Sequence, residues 1–230
     1  MANNSGNRSE NKDNLIHRLA RWIPTHVSVK VIIATYWLMD KIMFISKKRR
    51  SEHRENNLAV LTGEDSPLKD GFIENQHSWN RVLLGKTTMA EAGCEIMAVY
   101  NALLALGLGK GPELISELIE RFEKHGAALH GRIGTSPLEL RYYLKKRGIK
   151  TKWSHDVDRI DPETKVAIVM LYNNRDDLFD MIHTITYTKD ETVGFVPHNT
   201  WHNKPGYPTL KEAIEGSGPK TKVICIMEII

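Results

Sequence analysis

The apolar period of this chain changes once, near residue 149, and that change limits its fold more than any other feature. Upstream, apolar residues recur at spacings of three and four, the mark of helices with one buried face. Ile96, Val99, Tyr100, Leu103 and Leu106 form one such run, closed by Gly107 and Gly109. Pro112 opens a second helix at its first turn, with Leu114, Ile115, Leu118, Ile119 and Phe122 on one face and Gly126 at its end. Thr135-Ser136-Pro137 starts a third, which runs to Arg147 before Gly148. Downstream the period is two. Strands are expected over 149–153, 165–172, 181–188, 192–196 and 222–230, with a polar loop at 173–177, an irregular loop over 197–208 and a helical turn over 209–214. The run at 165–172 is almost wholly apolar and should be buried on both faces. Helices first and an antiparallel sheet after them is an α+β pattern.

Within the helical half, Cys94 stands at the first turn of the first helix. Ala90, Ala92 and Gly93 precede it, so the turn can be tight and the sulfur approachable. A thiol there meets unpaired backbone N–H groups and the positive end of the helix dipole, and both favour thiolate. A nucleophile needs the thiolate. The plainer reading is a small buried hydrophobe, which is what most free cysteines are. The second cysteine, Cys225, alternates with Ile224 and Ile226 in the last strand and reads as core. Two cysteines in such different settings make neither a disulfide framework nor a paired-cysteine metal site, and suit a reducing compartment.

The sheet half contributes a histidine. Met181, His183, Ile185 and Tyr187 share one face of a strand by alternation. Pairing Lys189 with Val193 around a three-residue turn sets His183 opposite Asn199. A two-residue turn sets it opposite His198. An asparagine oxygen accepting from one ring nitrogen would fix the tautomer and turn the other nitrogen outward. Cys94, His183 and Asn199 thus form a Cys/His/Asn arrangement that is dispersed in sequence but able to meet in space.

In these residues the chain resembles the papain-like cysteine peptidases, most closely the bacteriocin-processing (double-glycine) peptidase-like domains. Three segments carry the resemblance: Ala92-Gly93-Cys94-Glu95 with Ala98 and Leu103 behind it, Met181-Ile182-His183-Thr184-Ile185, and Val196-Pro197-His198-Asn199. The likeness covers roughly residues 70–230. It implies a helical lobe holding the cysteine, packed against a sheet holding the histidine. It also implies acyl transfer from a peptide amide: Cys94 as nucleophile in a preformed imidazolium–thiolate pair, His183 as general base and acid, and Asn199 as orienter. Such families place a glutamine about six residues before the cysteine to stabilise the oxyanion. Thr88 holds that position here, and Gln76 is the glutamine that a loop could bring back, with Asn75 and Asn80 as other amide donors. Glu95 stands where the bacteriocin-processing relatives have glycine. It suits a helix first turn but opposes thiolate formation. The same triad serves an acyltransferase or transglutaminase-like enzyme, and a retired scaffold serves as a binding or assembly module.

Charge divides the chain differently. Residues 1–58 hold eleven Lys/Arg against five Asp/Glu, while the whole chain is only +4. That net charge is too weak to argue for nucleic acid. The expected organisation is a disordered tail over 1–14, a basic helical extension and linker over 15–67, with a short amphipathic helix over 15–23, and the peptidase-like domain over 68–230. Residues 29–45 are apolar but interrupted by Lys30, Asp40 and Lys41, short for a span, and followed by Lys47-Lys48-Arg49-Arg50. They suit packing on the domain, on a second copy, or on an anionic membrane surface. Without an export signal the expected place is the cytoplasm, peripheral to the membrane at most. No cofactor is expected. A metal held by His183, His198 and His202 is set aside as an incidental grouping on one hairpin, and Lys145-Lys146-Arg147 as a solvated face.

Overall fold

The structure is a computed structural model that describes residues 22, 26–42, 45–127, 130, 135–176, 182–200 and 206–230. The expected tail over 1–14, nearly all of the short helix over 15–23, the turn at 131–134, Met181 of the histidine strand, and Trp201 and His202 lie outside the described residues. In chain order the helices are α1 (Val29–Ile42), α2 (Lys47–Thr62), α3 (Met89–Ala92), α4 (Cys94–Ala105), α5 (Pro112–His125), α6 (Pro137–Lys146) and α7 (Leu210–Glu215). The strands are β1 (Leu83–Leu84), β2 (Thr87–Thr88), β3 (Thr151–Ser154), β4 (Val166–Tyr172), β5 (Ile182–Asp190), β6 (Gly194–His198) and β7 (Lys222–Ile229). The protein is α+β, as the change of period indicates. Among the described residues no helix is long and apolar enough to cross a membrane.

The large sheet runs β3-β7-β4-β5-β6, antiparallel throughout. All seven residues of central β4 are buried, and alternation divides them between two cores. Val166 and Ile168 join Met227 and Ile229 against the helices, among them Ile96, Val99 and Leu103 of α4. Ala167, Val169 and Leu171 face the other way and meet Leu210, Ala213 and Ile214 of α7. Helix α4 lies on the first face and is tied to β5 where Thr186 Oγ1 donates to the Ala98 carbonyl at 2.7 Å. Cys225 is buried beside Met170 and Tyr172, in the core setting that its strand alternation suggests.

Two expectations are corrected. The first concerns the boundary at 68, expected to follow a basic helical extension and linker over 15–67. Residues 47–62 are helix α2, capped by Ser46 and packed on α5. Its anchors are polar, so no apolar stripe announces it. His53 Nδ1 meets Glu123 Oε1 at 2.5 Å, and Arg54 pairs with Glu120 at 3.0 Å. Asn57 closes both backbone bonds of Leu83, at 2.9 and 2.7 Å. Leu61 then enters the same core as Ile73 and Leu84. The packed body therefore extends upstream of the boundary expected at 68.

The second is the β5–β6 register. Lys189 pairs with Phe195 and Asp190 with Gly194, two residues beyond the expected pairing. Asp190 sets this turn: its Oδ1 accepts from the Thr192 N–H, the Thr192 hydroxyl and the Val193 N–H. Gly194 ends it at φ 80°, where a Cβ would fall 2.1 Å from the Tyr207 carbonyl oxygen. The ladder reaches only to Thr186↔His198, so His183 has no β6 partner across from it.

Candidate active site

Cys94 begins α4 because Gly93 lets the chain double back on α3. A Cβ at Gly93 would sit 2.6 Å from the Met89 carbonyl oxygen and 2.7 Å from the Met89 sulfur. The residue is half-buried. Its sulfur lies against β5 at Thr184, whose N–H and hydroxyl both bear on it, as does the N–H of Glu95. The Thr184 hydroxyl is buried and closes no hydrogen bond among the described residues.

The expectation of a lowered thiol pKa is corrected. Burial, and then the Glu95 carboxyl, push Cys94 up to about 11 against the donors at Thr184 and Glu95. Glu95 is itself 1% exposed, which is why it behaves as no surface carboxylate would. Burial pushes its pKa up to about 8, offset in part by the Thr135 hydroxyl, which donates to Oε2 at 2.6 Å. Its Oε1 is buried without a hydrogen-bond partner among the described residues. At neutral pH this carboxyl is mostly protonated.

His183 precedes Thr184 on β5 and is buried. Its Nε2 lies 2.6 Å from the Asn199 backbone oxygen. A carbonyl can only accept, so Nε2 carries the hydrogen and Nδ1 carries the lone pair of the neutral ring. Burial lowers the His183 pKa, with His77 adding to the effect and the Asn199 bond opposing it. A raised thiol and a lowered imidazole both favour neutral forms. Each group thus rests in its neutral form, neither acts on the other's titration, and strand alternation turns His183 to the face of β5 opposite Thr184, so the preformed ion pair that the resemblance implies is absent here.

Asn199 does hold His183, but through its main chain. The side chain is engaged elsewhere: Oδ1 accepts from the Gln76 N–H at 3.0 Å, and Nδ2 donates to Gln76 Oε1 at 3.2 Å. The register shift explains this, because Asn199 lies past the end of the ladder at φ 61° and presents its carbonyl where a strand residue would present a side chain. Asparagine is among the few residues that tolerate this region.

Gln76 lies against the short helix α3 that precedes the cysteine. It is buried, and its Nε2 donates to the Ala90 carbonyl at 2.9 Å, four residues before Cys94. Asn75 is instead the cap of the 3-10 turn Gln76–Trp79, accepting from the His77 N–H. The segment around Gln76 is wired at nearly every residue. The Ile73 backbone is bonded both ways by the buried Asn101 side chain of α4, at 2.8 and 3.0 Å. Glu74 Oε1 lies 2.6 Å from His198 Nδ1, and Glu74 Oε2 accepts from the Asn199 N–H at 3.1 Å. Burial raises the Glu74 pKa, but its bonds to His198 and Asn199 outweigh that and hold it below the ordinary value. Glu74, His77 and Thr184 escaped the sequence reading. A loop glutamate carries no periodic signal, and a threonine in a strand reads as strand propensity.

Among the described residues no group of three His, Cys, Asp or Glu side chains is placed to hold a metal ion. His198 is occupied between Glu74 and Thr188, whose Oγ1 is 2.7 Å from Nε2. Comparison with family models, with curated proteins and with solved structures finds no match.

Proposed function

We propose that the chain is a cysteine peptidase or amidase of papain-like type, with Cys94 as nucleophile and His183 as general base and acid. The observation that carries this reading is the fixed tautomer of His183. Its Nε2–H is spent on the Asn199 carbonyl, which leaves the lone pair of the neutral ring on Nδ1. From a neutral pair the proton moves as the bond forms: Nδ1 takes the thiol hydrogen while sulfur attacks the amide carbonyl carbon. The tetrahedral oxyanion collapses, the C–N bond breaks, and His183 returns the proton to the leaving amine. Water then attacks the thioester by the same path. Gln76 Nε2 carries two N–H groups; one goes to Ala90, and in this reading the other donates to the oxyanion together with a backbone N–H at the start of α4.

The rival reading, a binding module on the same scaffold, is favoured by the raised thiol pKa. Its partner surface would be α1, which leaves Val31, Trp37 and Leu38 exposed beside exposed Lys47, Lys48 and Arg49. A membrane surface or a second copy would suit that face. Incubation with a mixed peptide library decides between the readings. Hydrolysis that Cys94→Ser abolishes supports the peptidase, and transfer of the acyl group to an added primary alkylamine in preference to water separates acyl transfer from simple hydrolysis. No turnover of any peptide, with the protein folded, supports the binding module.

A further inference from the structure

The conformation on which His183 depends is a costly one. Asn199 aims its carbonyl at Nε2 only because its φ is 61°, and such a backbone persists only where its surroundings hold it. Gln76 holds the side chain. The main-chain N–H is held by Glu74 Oε2, and the other oxygen of that carboxylate takes His198, the residue just before Asn199. His198 is gripped on two further sides. Thr188 meets its Nε2, and Phe72 stacks on the ring with centroids 3.8 Å apart. His198 and Asn199 are each 4% exposed, whereas the Glu74 side chain is 48% exposed. A half-exposed carboxylate thus closes two bonds on buried groups. Its roles are unambiguous, since both oxygens accept. His198 then carries its hydrogen on Nδ1, the opposite tautomer to His183.

We propose that Glu74 is a positioning residue for His183: it clamps His198 Nδ1–H and the Asn199 N–H, holds Asn199 left-handed, and so keeps His183 in the Nε2–H tautomer with Nδ1 basic. The consequence for catalysis rests on the function proposed above, whereas the clamp itself does not. Glu74→Gln is the informative change, because it keeps the shape but offers only one acceptor oxygen. Its amide meets the second N–H donor to donor.

The test is long-range 1H–15N NMR of the histidine rings in the full chain at about pH 8, with the backbone spectrum as the check on folding. The wild type should show His183 protonated at Nε2 and His198 at Nδ1. Folded Glu74→Gln should lose the single-tautomer pattern of His183, and iodoacetamide labelling of Cys94 should slow by at least tenfold. If Glu74→Gln does not fold, Phe72→Ala should move His183 in the same direction by less, because it removes the ring stacked on His198 and breaks no hydrogen bond. A folded Glu74→Gln, or in its place Phe72→Ala, in which His183 stays wholly Nε2–H overturns the clamp. So does a wild type in which His183 is protonated at Nδ1. If Cys94 proves inert in the wild type and the His183 tautomer still depends on Glu74, the clamp stands and the peptidase reading falls.

Discussion

Glu95 should act as a brake on Cys94 that comes on only above neutral pH. Its carboxyl titrates at about 8 and the thiol at about 11, so as pH rises the carboxyl ionises first and the thiol must then ionise beside an anion. Glu95→Gln keeps the shape and removes that charge. For a separation on the order of 7 Å and an effective dielectric of about 20, the repulsion removed is about 2.4 kcal/mol, between one and two pKa units. Burial is the larger cause of the raised thiol pKa and is untouched, so the variant's thiol should still titrate above the ordinary value of 9.0. The assay is the rate of iodoacetamide labelling of Cys94 against pH. Below about pH 7 the carboxyl is protonated in the wild type, and the two proteins should react at nearly equal rates. Near pH 9 the variant should be faster by roughly an order of magnitude. A rate ratio that is the same at every pH, or a variant no faster at pH 9, would refute the coupling.

Further outcomes follow from the same geometry. Because the folded-state pKa of Glu95 is raised, its contribution to stability is full below about pH 4.5 and is lost as pH rises to about 8. Urea unfolding should therefore show the wild type losing stability across that window, by several kcal/mol at most, relative to Glu95→Gln. Gln76→Ala should lower kcat by about a hundredfold with little change in KM if Gln76 meets the oxyanion, and steady-state kinetics on a cleaved peptide checks it. A truncation starting near Glu64 removes α2 and leaves Glu123 buried without His53. It should unfold or aggregate and yield no soluble active domain, which circular dichroism would show.

What the sequence reveals here is periodicity, and what it hides is contact. The α4, α5 and α6 helices and the buried β4 strand are legible because each places apolar residues at a fixed spacing. The hairpin register is not, because it turns on three hydrogen bonds to Asp190 and on one glycine at positive φ. Helix α2 hides for the same reason, since His53, Asn57 and Arg54 anchor it through polar contacts to α5 and β1. Among the candidate site residues, Cys94 and His183 stand out by residue type and setting, and Gln76 enters only through the resemblance. Asn199 is found for a side-chain role that its main chain performs. Glu95 is the instructive miss. A glutamate in a helix first turn reads as a solvated, dipole-stabilising residue, yet it is buried, bonded to Thr135 and mostly protonated at neutral pH.

The account turns on whether His183 takes the proton of Cys94. Burial alone holds the thiol above the ordinary value of 9.0, so at pH 7 less than about one part in a hundred is ionised. Reaction at that pH must then be assisted by a base. The direct measurement is the rate of iodoacetamide labelling at pH 7, located by mass spectrometry, in the wild type and in His183→Ala. Labelling at Cys94 and not at Cys225, slowed at least tenfold by His183→Ala in a protein that still folds, is the result predicted. Equal rates in the two proteins, or no labelling until the chain is unfolded, would contradict it and leave Cys94 a core cysteine.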